Sequence, residues 1–128
     1  MKISLTSIFV EDPVEAHGFY TGVLGFETRE FDPEGQLAII VSPEDPEGTA
    51  LLLEPRGDSF ARSFQEELYK AGLPVIVFGS ATVPETRKDL EARSVRFRDD
   101  LAKPEWGLTN LFEDGFGNLI MLSDHPEA

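Results

Sequence analysis

The sequence contains no cysteine and few basic residues. Without cysteine, disulfides, thiolate metal ligands and a thiol nucleophile are all excluded. Eleven Lys and Arg stand against 24 Asp and Glu, a formal net charge of −13, which would repel nucleic-acid phosphates and anionic lipid surfaces. The charge could attract a cationic ligand, although a well-solvated acidic surface is its more common explanation. We therefore expect neither nucleic acid nor a membrane as a partner.

Long hydrophobic runs are also missing. No apolar stretch approaches the length that crosses a bilayer. The opening MKISLTSIFVED is interrupted by Ser and Thr and followed by acids, which is unlike a signal peptide, so we expect a cytoplasmic protein. Hydrophobic residues at 41% and charged residues at 27% are typical of a globular chain. A chain of 128 residues can bury one core, and we expect a single domain over residues 1–128.

The first part of the chain predicts a strand, a helix and three more strands. A strand over 3–10 precedes a helix that Asp12 caps, that has Pro13 at its first position, and that Gly25 ends. The segments FETREFD, QLAIIVSP and TALLLEP then read as strands at 26–32, 36–43 and 49–55, separated by the turns PEG and PEDPEG.

A connecting amphipathic helix is predicted over about residues 58–72. Phe60, Phe64 and Leu68 recur at a spacing of four, and Gly72 ends the segment. This spacing places the three apolar side chains on one side of the helix.

The remaining part repeats the order of elements. A strand at 73–80 precedes a helix at 82–94 with a T-x-x-E cap, and three strands follow at 95–100, 108–114 and 118–124. Placing Leu5 on Val75 also places Asp12 on Thr82. We therefore expect an α+β fold of two βαβββ modules, the first at about 1–57 and the second at about 73–128.

Two segments carry a resemblance to a known family. FVEDPVEAHGFYTGVLGFE at 9–27 and KPEWGLTNLFEDGFGNLIML at 103–122 resemble the glyoxalase, bleomycin-resistance and extradiol-dioxygenase superfamily, also called vicinal oxygen chelate proteins. The resemblance implies two tandem βαβββ modules forming a curved mixed sheet around a cleft, and a homodimer.

The resemblance also points to the positions where a metal would bind. Metal-dependent members carry histidine, glutamate or glutamine near the start of each module and on its last strand. These positions fall here on Leu5, on Val75 or Pro74, on Met121, and on either Glu54 or Leu52. Aliphatic side chains donate no electron pair, and a thioether is a poor ligand for zinc, nickel, iron or manganese. A catalytic divalent site needs about three protein ligands, so we expect no metal and no cofactor.

The two histidines do not restore a metal site. His17 falls at the edge of the apolar face of the first helix, which is typical of a boundary residue. His125 lies in the tail SDHPEA, where chain ends are usually frayed. Glu54 is the candidate catalytic carboxylate, because an apolar LLLE strand that faced the cleft would suit it to proton transfer or to holding a cationic ligand.

Three hypotheses follow for function. The first is a metal-free protein that binds a small molecule, with sequestration of a cationic or aromatic compound as one version. Its predicted lining is Leu5, Ser7, Phe9, Glu54, Val75, Val77, Trp106, Phe112 and Met121. The second is a divalent-metal lyase, isomerase or dioxygenase with a rearranged site around Glu54. The third is a paired scaffold whose cleft is collapsed.

Overall fold

A computed structural model describes residues 1–98 and 108–124. The described residues form β1 (Leu5–Val10), α1 (Pro13–Gly22), β2 (Glu27–Asp32), β3 (Leu37–Val41), β4 (Ala50–Pro55), α2 (Phe60–Lys70), β5 (Ile76–Gly79), α3 (Val83–Ala92), β6 (Thr109–Glu113) and β7 (Leu119–Ser123). This order confirms the expected α+β class. The chain divides into a first unit, Met1–Gln65, and a second unit that starts at Glu66. The boundary falls inside α2, the predicted connecting helix.

The first unit contains a four-stranded sheet in the order β1-β4-β3-β2. β1 runs parallel to β4, and the other neighbours are antiparallel. One face of this sheet is buried and carries Ile8, Val10, Ala38, Ile40, Leu51 and Leu53. α1 packs against β3 and β4, so this face and α1 together form the core of the first unit.

The predicted start of α1 at Asp12 is confirmed, and the helix ends at Gly22, three residues before the predicted Gly25. The Asp12 carboxylate accepts from the amides of Val14 (3.0 Å) and Glu15 (3.2 Å), which satisfies donors that the first helical turn leaves open. At the other end, the Phe26 amide donates to the Tyr20 carbonyl. Gly25 lies between them at φ 88°, the left-handed conformation that glycine adopts without penalty in this type of helix end.

The apolar side of α2 differs from the expected one. Phe60 is 83% exposed and Phe64 is 54% exposed, whereas Ala61 and Gln65 are buried. Gln65 is held by two hydrogen bonds: its Nε2 donates to the Phe9 carbonyl at 2.8 Å, and its Oε1 accepts from Arg56 at 3.0 Å. The spacing of the phenylalanines predicted that Phe60 and Phe64 face the protein. Gln65 is buried instead, and both atoms of its amide group are hydrogen-bonded.

The second unit contains a three-stranded sheet in the order β5-β7-β6, with β5 parallel to β7 and β6 antiparallel to it. The strand predicted at 95–100 pairs with β6 through an isolated bridge between Phe97 and Phe112. The Arg98 amide donates to the Leu111 carbonyl at 2.9 Å beside this bridge. Residues 99 and 100 lie outside the described part of the chain.

The predicted cap of α3 is not made. Thr82 stands at the N-cap position, but its side chain makes no capping hydrogen bond. Ser80 lies beside this end instead, where its hydroxyl accepts from the Thr82 amide at 3.4 Å and is 2.6 Å from the Thr86 hydroxyl. The T-x-x-E pattern therefore predicted the start of α3 correctly. Its prediction that the Thr82 side chain caps the helix was wrong.

The turn between β6 and β7 is closed by a buried carboxylate. Asp114 accepts from the amides of Phe116 (2.7 Å) and Asn118 (3.1 Å), and from the Asn118 side chain (2.8 Å). Gly115 and Gly117 adopt φ values of 81° and 98°, which are costly for residues with a Cβ. The turn thereby fixes the register in which β7 returns along β6.

None of the helices in the described ranges is both long enough and apolar enough to cross a membrane.

Candidate functional site

The first sheet has one face that α1 does not cover. The His17 ring stacks on Phe31 and bonds the Thr28 hydroxyl, and the register puts both partners on the buried face with Ala38 and Ile40. Successive side chains of each strand point alternately to this buried face and to the opposite face. We call it the first open face, and it carries Leu5, Ser7 and Phe9 on β1, Leu52 and Glu54 on β4, Ile39 on β3 and Glu30 on β2.

The side chains of the first open face are accessible although most are apolar. Leu5 is 48% exposed, and Phe9, Leu52 and Ile39 are half-buried. Glu54 lies beside Phe9 on the neighbouring strand, which brings an apolar ring and a carboxylate together. This face therefore offers apolar contact area with charged groups at its margin, the usual composition of a small-molecule site.

The second sheet repeats this arrangement. Its covered side carries Asn110, whose Oδ1 accepts from Arg87 of α3 at 2.5 Å, together with Phe112, which is 1% exposed. The other side is the second open face, with Val75 and Val77 near β5, Met121 on β7, Leu111 and Glu113 on β6, and Arg96 and Arg98 beside them. Val77 is 46% exposed, and Met121 and Leu111 are half-buried.

Strand pairing relates the two open faces position by position. In the first unit one row across the sheet reads Ser7, Leu52, Ile39, Glu30. The corresponding row in the second unit reads Val77, Met121, Leu111, Arg98. Leu52 is thus the counterpart of Met121, and Glu54 lies two residues further along the same face.

The family resemblance implies ligand positions near the start and on the last strand of each module. Carried onto this register, they fall on Leu5 and Val75 and on Leu52 and Met121. None of the four offers an oxygen or nitrogen donor, and only Met121 has a soft thioether. Across residues 1–98 and 108–124, no group of three or more His, Asp or Glu side chains is placed to hold an ion.

The predicted lining residues fall in three places. Leu5, Ser7, Phe9 and Glu54 share the first open face, and Val75, Val77 and Met121 share the second. The predicted role of Phe112 is not compatible with its position, because it lies on the covered face and contacts Phe97 at 5.4 Å between ring centroids. Trp106 and His125 lie outside the described residues.

A chain of polar contacts borders the second open face. The Tyr69 hydroxyl donates to Glu113 Oε1 at 2.6 Å and accepts from Arg98 Nη1 at 3.3 Å. The Arg98 guanidinium carbon lies 5.5 Å from the centroid of the Tyr69 ring. The hydrogen bond to Glu113, followed by burial, raises the pKa of Tyr69 above its usual value, so the phenol keeps its proton and continues to donate at neutral pH.

His17 belongs to the covered side of the first sheet. Its ring stacks on Phe31 with 3.9 Å between centroids, and its Nε2 lies 2.7 Å from the Thr28 hydroxyl. Burial lowers the pKa of His17 below its usual value. The interpretation of His17 as a boundary residue agrees with these contacts, and its position on α1 keeps it away from the first open face.

The first unit also has a groove of about 780 Å³ at the start of β1. Its lining includes two cations, Lys2 and Arg29, and two anions, Asp45 and Glu47. Arg29 Nη2 donates to the Pro46 carbonyl at 3.0 Å. This polar composition distinguishes the groove from the apolar open faces.

Sequence reasoning missed Tyr69, Glu113 and Arg98. The alternation in VRFRDD was a usable signal, because Arg96 and Arg98 must lie on the face opposite to Phe97. The contact of Tyr69 with Glu113 joins residues 44 positions apart, and nothing local in the sequence indicates it.

Residues 2–122 match the Glyoxalase/Bleomycin resistance protein/Dioxygenase superfamily, and the chain therefore belongs to that family. This confirms the resemblance derived from the sequence. The uncharacterized protein YurT of Bacillus subtilis (strain 168) is 40% identical over 124 residues, which cover 95% of this chain and 98% of YurT.

Solved structures share the fold. UcmS2 aligns with a TM-score of 0.81 at 26% identity, covering 97% of this chain and 98% of UcmS2. TnmS3, described as an antibiotic binding protein from Streptomyces sp. CB03234, aligns with a TM-score of 0.72 at 22% identity, covering 96% and 94% of the two chains. At that identity the likeness to TnmS3 extends to the fold alone.

Proposed function

We propose that this protein binds a small, largely apolar organic molecule on its open faces, without a metal ion. The observation that carries the proposal is the identity of the four positions that hold ligands in metal-dependent relatives: Leu5, Leu52, Val75 and Met121. Three of these are aliphatic and the fourth is a thioether, so they suit contact with hydrocarbon and do not suit coordination of a hard cation.

The charged side chains around the apolar residues of the open faces indicate which kind of molecule would bind there. Glu30 and Glu54 of the first open face favour an amine or another cation at that face. The aromatic ring of Phe9 beside Glu54 favours a flat partner, because aromatic rings stack on one another. That TnmS3, which has the same fold, is an antibiotic binding protein is consistent with sequestration of a cationic or aromatic compound as one version of this function.

The two methionines provide a test that does not require the natural ligand. Met1 and Met121 are the only methionines in the sequence, so a protein labelled with [methyl-¹³C]methionine gives two signals, which the Met121→Leu variant assigns. We expect neutral 2-naphthylmethanol, and antibiotics from a broad panel, to shift the Met121 signal with saturation while Met1 stays in place.

Matched variants separate specific binding from adsorption. Val77→Asp adds a charge to the second open face and should weaken binding of 2-naphthylmethanol at least about tenfold, because it replaces apolar contact with a desolvated carboxylate. Phe64→Asp makes the same kind of change at a similarly exposed side chain of α2 and should leave binding unchanged. A Met121 signal that no compound moves would contradict the proposal.

A metal-dependent lyase, isomerase or dioxygenase centred on Glu54 is the alternative. It is supported by the position of the Glu54 carboxylate on the first open face, two residues from Leu52. This alternative predicts that metal copurifies with the protein, that nickel, zinc, manganese or iron raises its melting temperature, and that Glu54→Ala abolishes both effects. Elemental analysis and thermal shifts that show no metal dependence would rule it out in this form.

A further inference from the structure

The two open faces differ in charge at one matched position. The row across the first sheet ends at Glu30 on β2, and the matching row of the second unit ends at Arg98, next to the bridge between Phe97 and Phe112. The intervening side chains are apolar in both rows, Leu52 and Ile39 in the first and Met121 and Leu111 in the second. The two modules therefore share an apolar row, and the charge at the end of the row is negative in the first module and positive in the second.

Arg98 is held in place by its contacts in the second unit. It donates to the Tyr69 hydroxyl at 3.3 Å and lies over the Tyr69 ring, while Tyr69 is itself anchored to Glu113 at 2.6 Å. Within the described residues this is the one side-chain hydrogen bond of Arg98, and a guanidinium group has five N–H donors. The remaining donors are those that a carboxylate would use, since two parallel N–H bonds match its two oxygens.

Within residues 1–98 and 108–124, two cations and one carboxylate lie at this end of the row. Arg96 and Arg98 flank Phe97, whose bridge to Phe112 places Arg96 opposite Glu113 and Arg98 opposite Leu111. Both arginines are close enough to Tyr69 to oppose the rise in its pKa. The described groups here therefore carry a net positive charge beside an apolar row, in a chain whose formal charge is −13.

The apolar row sets the size of the partner. Val77, Met121 and Leu111 lie on the three strands of the second sheet, and Arg98 lies opposite Leu111 beside β6. Three spacings of about 4.8 Å give roughly 14 Å from Val77 to Arg98. A flat molecule of two or three fused rings fits this length with its charged group at one end.

We propose that the second open face binds a flat apolar acid, with its carboxylate at Arg98 and its hydrocarbon across Leu111 and Met121. This inference rests on the proposed function, that the open faces are ligand-binding surfaces, and names the class of ligand that one of them takes. Tyr69 is a positioning residue in this arrangement, because it orients the guanidinium of Arg98 through its hydroxyl and its ring.

The test compares three probes that share one ring system and differ in charge: 2-naphthoate, 2-naphthylmethanol and 2-naphthylmethylammonium. Dissociation constants for the second open face come from titrating the Met121 methyl signal of the full chain. We expect 2-naphthoate to bind at least about tenfold more tightly than 2-naphthylmethanol, since it gains a charge-assisted pair of hydrogen bonds. We expect 2-naphthylmethylammonium to bind the second open face most weakly of the three.

Variants assign the preference to Arg98. Arg98→Leu should remove the advantage of 2-naphthoate while 2-naphthylmethanol still binds, and Arg98→Glu should reverse the order of the two charged probes. Arg93→Glu changes the net charge equally at the C-terminal end of α3 and should preserve the order. Tyr69→Phe keeps the ring and loses the hydroxyl, so it should give an intermediate preference. Arg98 is exposed, and circular dichroism checks that each variant is folded.

The possible outcomes distinguish failure of this inference from failure of the proposed function. If all three probes shift Met121 with equal affinity, or if Arg98→Glu behaves like Arg93→Glu, the inference is wrong and the proposed function stands. If no probe shifts Met121, both are wrong. A preference for 2-naphthoate that disappears in Arg98→Leu supports both.

Discussion

At the scale of single residues, the structure explains which side chains are available for chemistry. His17, the one described histidine, is stacked on Phe31 and bonded to Thr28. Leu5, Leu52, Val75 and Met121 stand at the positions where the family resemblance implies metal ligands, and none of them offers an oxygen or nitrogen donor. The polar groups at the margins of the open faces are Glu30, Glu54, Glu113, Arg96 and Arg98, and these are charged groups suited to recognition of a ligand by ion pairing.

The stack on Phe31 makes the acid–base behaviour of His17 testable. Burial lowers its pKa, so the unfolded chain binds this proton more readily, and the His17 contribution to stability is present above pH 6.5 and is lost as pH falls through the folded pKa. An NMR titration of the imidazole C–H should give a midpoint below 6.5. Phe31→Ala exposes the ring and should move the midpoint up towards 6.5, and an unchanged midpoint would contradict burial as the cause.

Gly25 is a residue at which backbone conformation alone should matter. At φ 88° it has open space where a Cβ would lie, so Gly25→Ala should cost about 1–2 kcal/mol of unfolding free energy through backbone strain. Gly18 lies within α1 and also has open space at its Cβ position. Gly18→Ala should instead stabilise the protein by about 0.5–1 kcal/mol. Urea titrations of both variants measure the difference, and equal effects would contradict this explanation.

Among the secondary-structure elements, α1 and α3 each contact one face of the sheet in their own unit and leave the other face open. α1 lies on β3 and β4, and α3 reaches the second sheet through the bond from Arg87 to Asn110. Because residues alternate between the two faces of a strand, covering one face determines which residues remain accessible. The candidate site therefore follows from the placement of the helices as much as from the residues that form it.

The two helix starts provide a matched comparison of capping. Asp12 accepts two amide hydrogen bonds at the start of α1, and Asp12→Ala should lower the unfolding free energy by about 1 kcal/mol. Thr82 occupies the corresponding position of α3 without a side-chain bond, so Thr82→Ala should change it by at most a few tenths of a kcal/mol. Chemical denaturation measures both, and a larger loss in Thr82→Ala would show that its hydroxyl caps α3 in solution.

At the scale of the whole molecule, the chain consists of two units with the same plan and different charges on their open faces. Among the described residues, the first has carboxylates at its margin, and the second has two arginines beside one carboxylate. A duplicated plan allows one half to change its specificity while the other keeps its own, because each open face is built on its own sheet. Ligand charge is consequently a property to be measured for each unit separately.

The homodimer implied by the family resemblance is a prediction for the whole molecule. Light scattering coupled to size-exclusion chromatography should give twice the chain mass of 14.2 kDa. Exposed apolar side chains such as Phe60 and Phe64 are the kind that association covers. A mass of one chain at micromolar concentration would contradict the prediction.

Patterns in the sequence predict the order of elements and the duplication, and they leave Glu54 and Leu52 as alternatives at one of the ligand positions that the family resemblance implies. Each of these depends on local patterns: Asp12 and Pro13 mark the start of α1, alternation marks β1, and the turn at Asp114 marks the return into β7. Local signals are short-range, and the chain carries them wherever it folds.

Which side chains share a face depends on contacts made in the folded chain. Folding pairs Leu52 with Ser7 as the counterpart of Met121 with Val77, buries Phe112 against Phe97, exposes Phe60, and brings Tyr69 to Glu113. The physical reason is that strand register and helix placement are set by contacts between distant parts of the chain. A shift of one residue in register would exchange the open and covered faces without any change in the sequence.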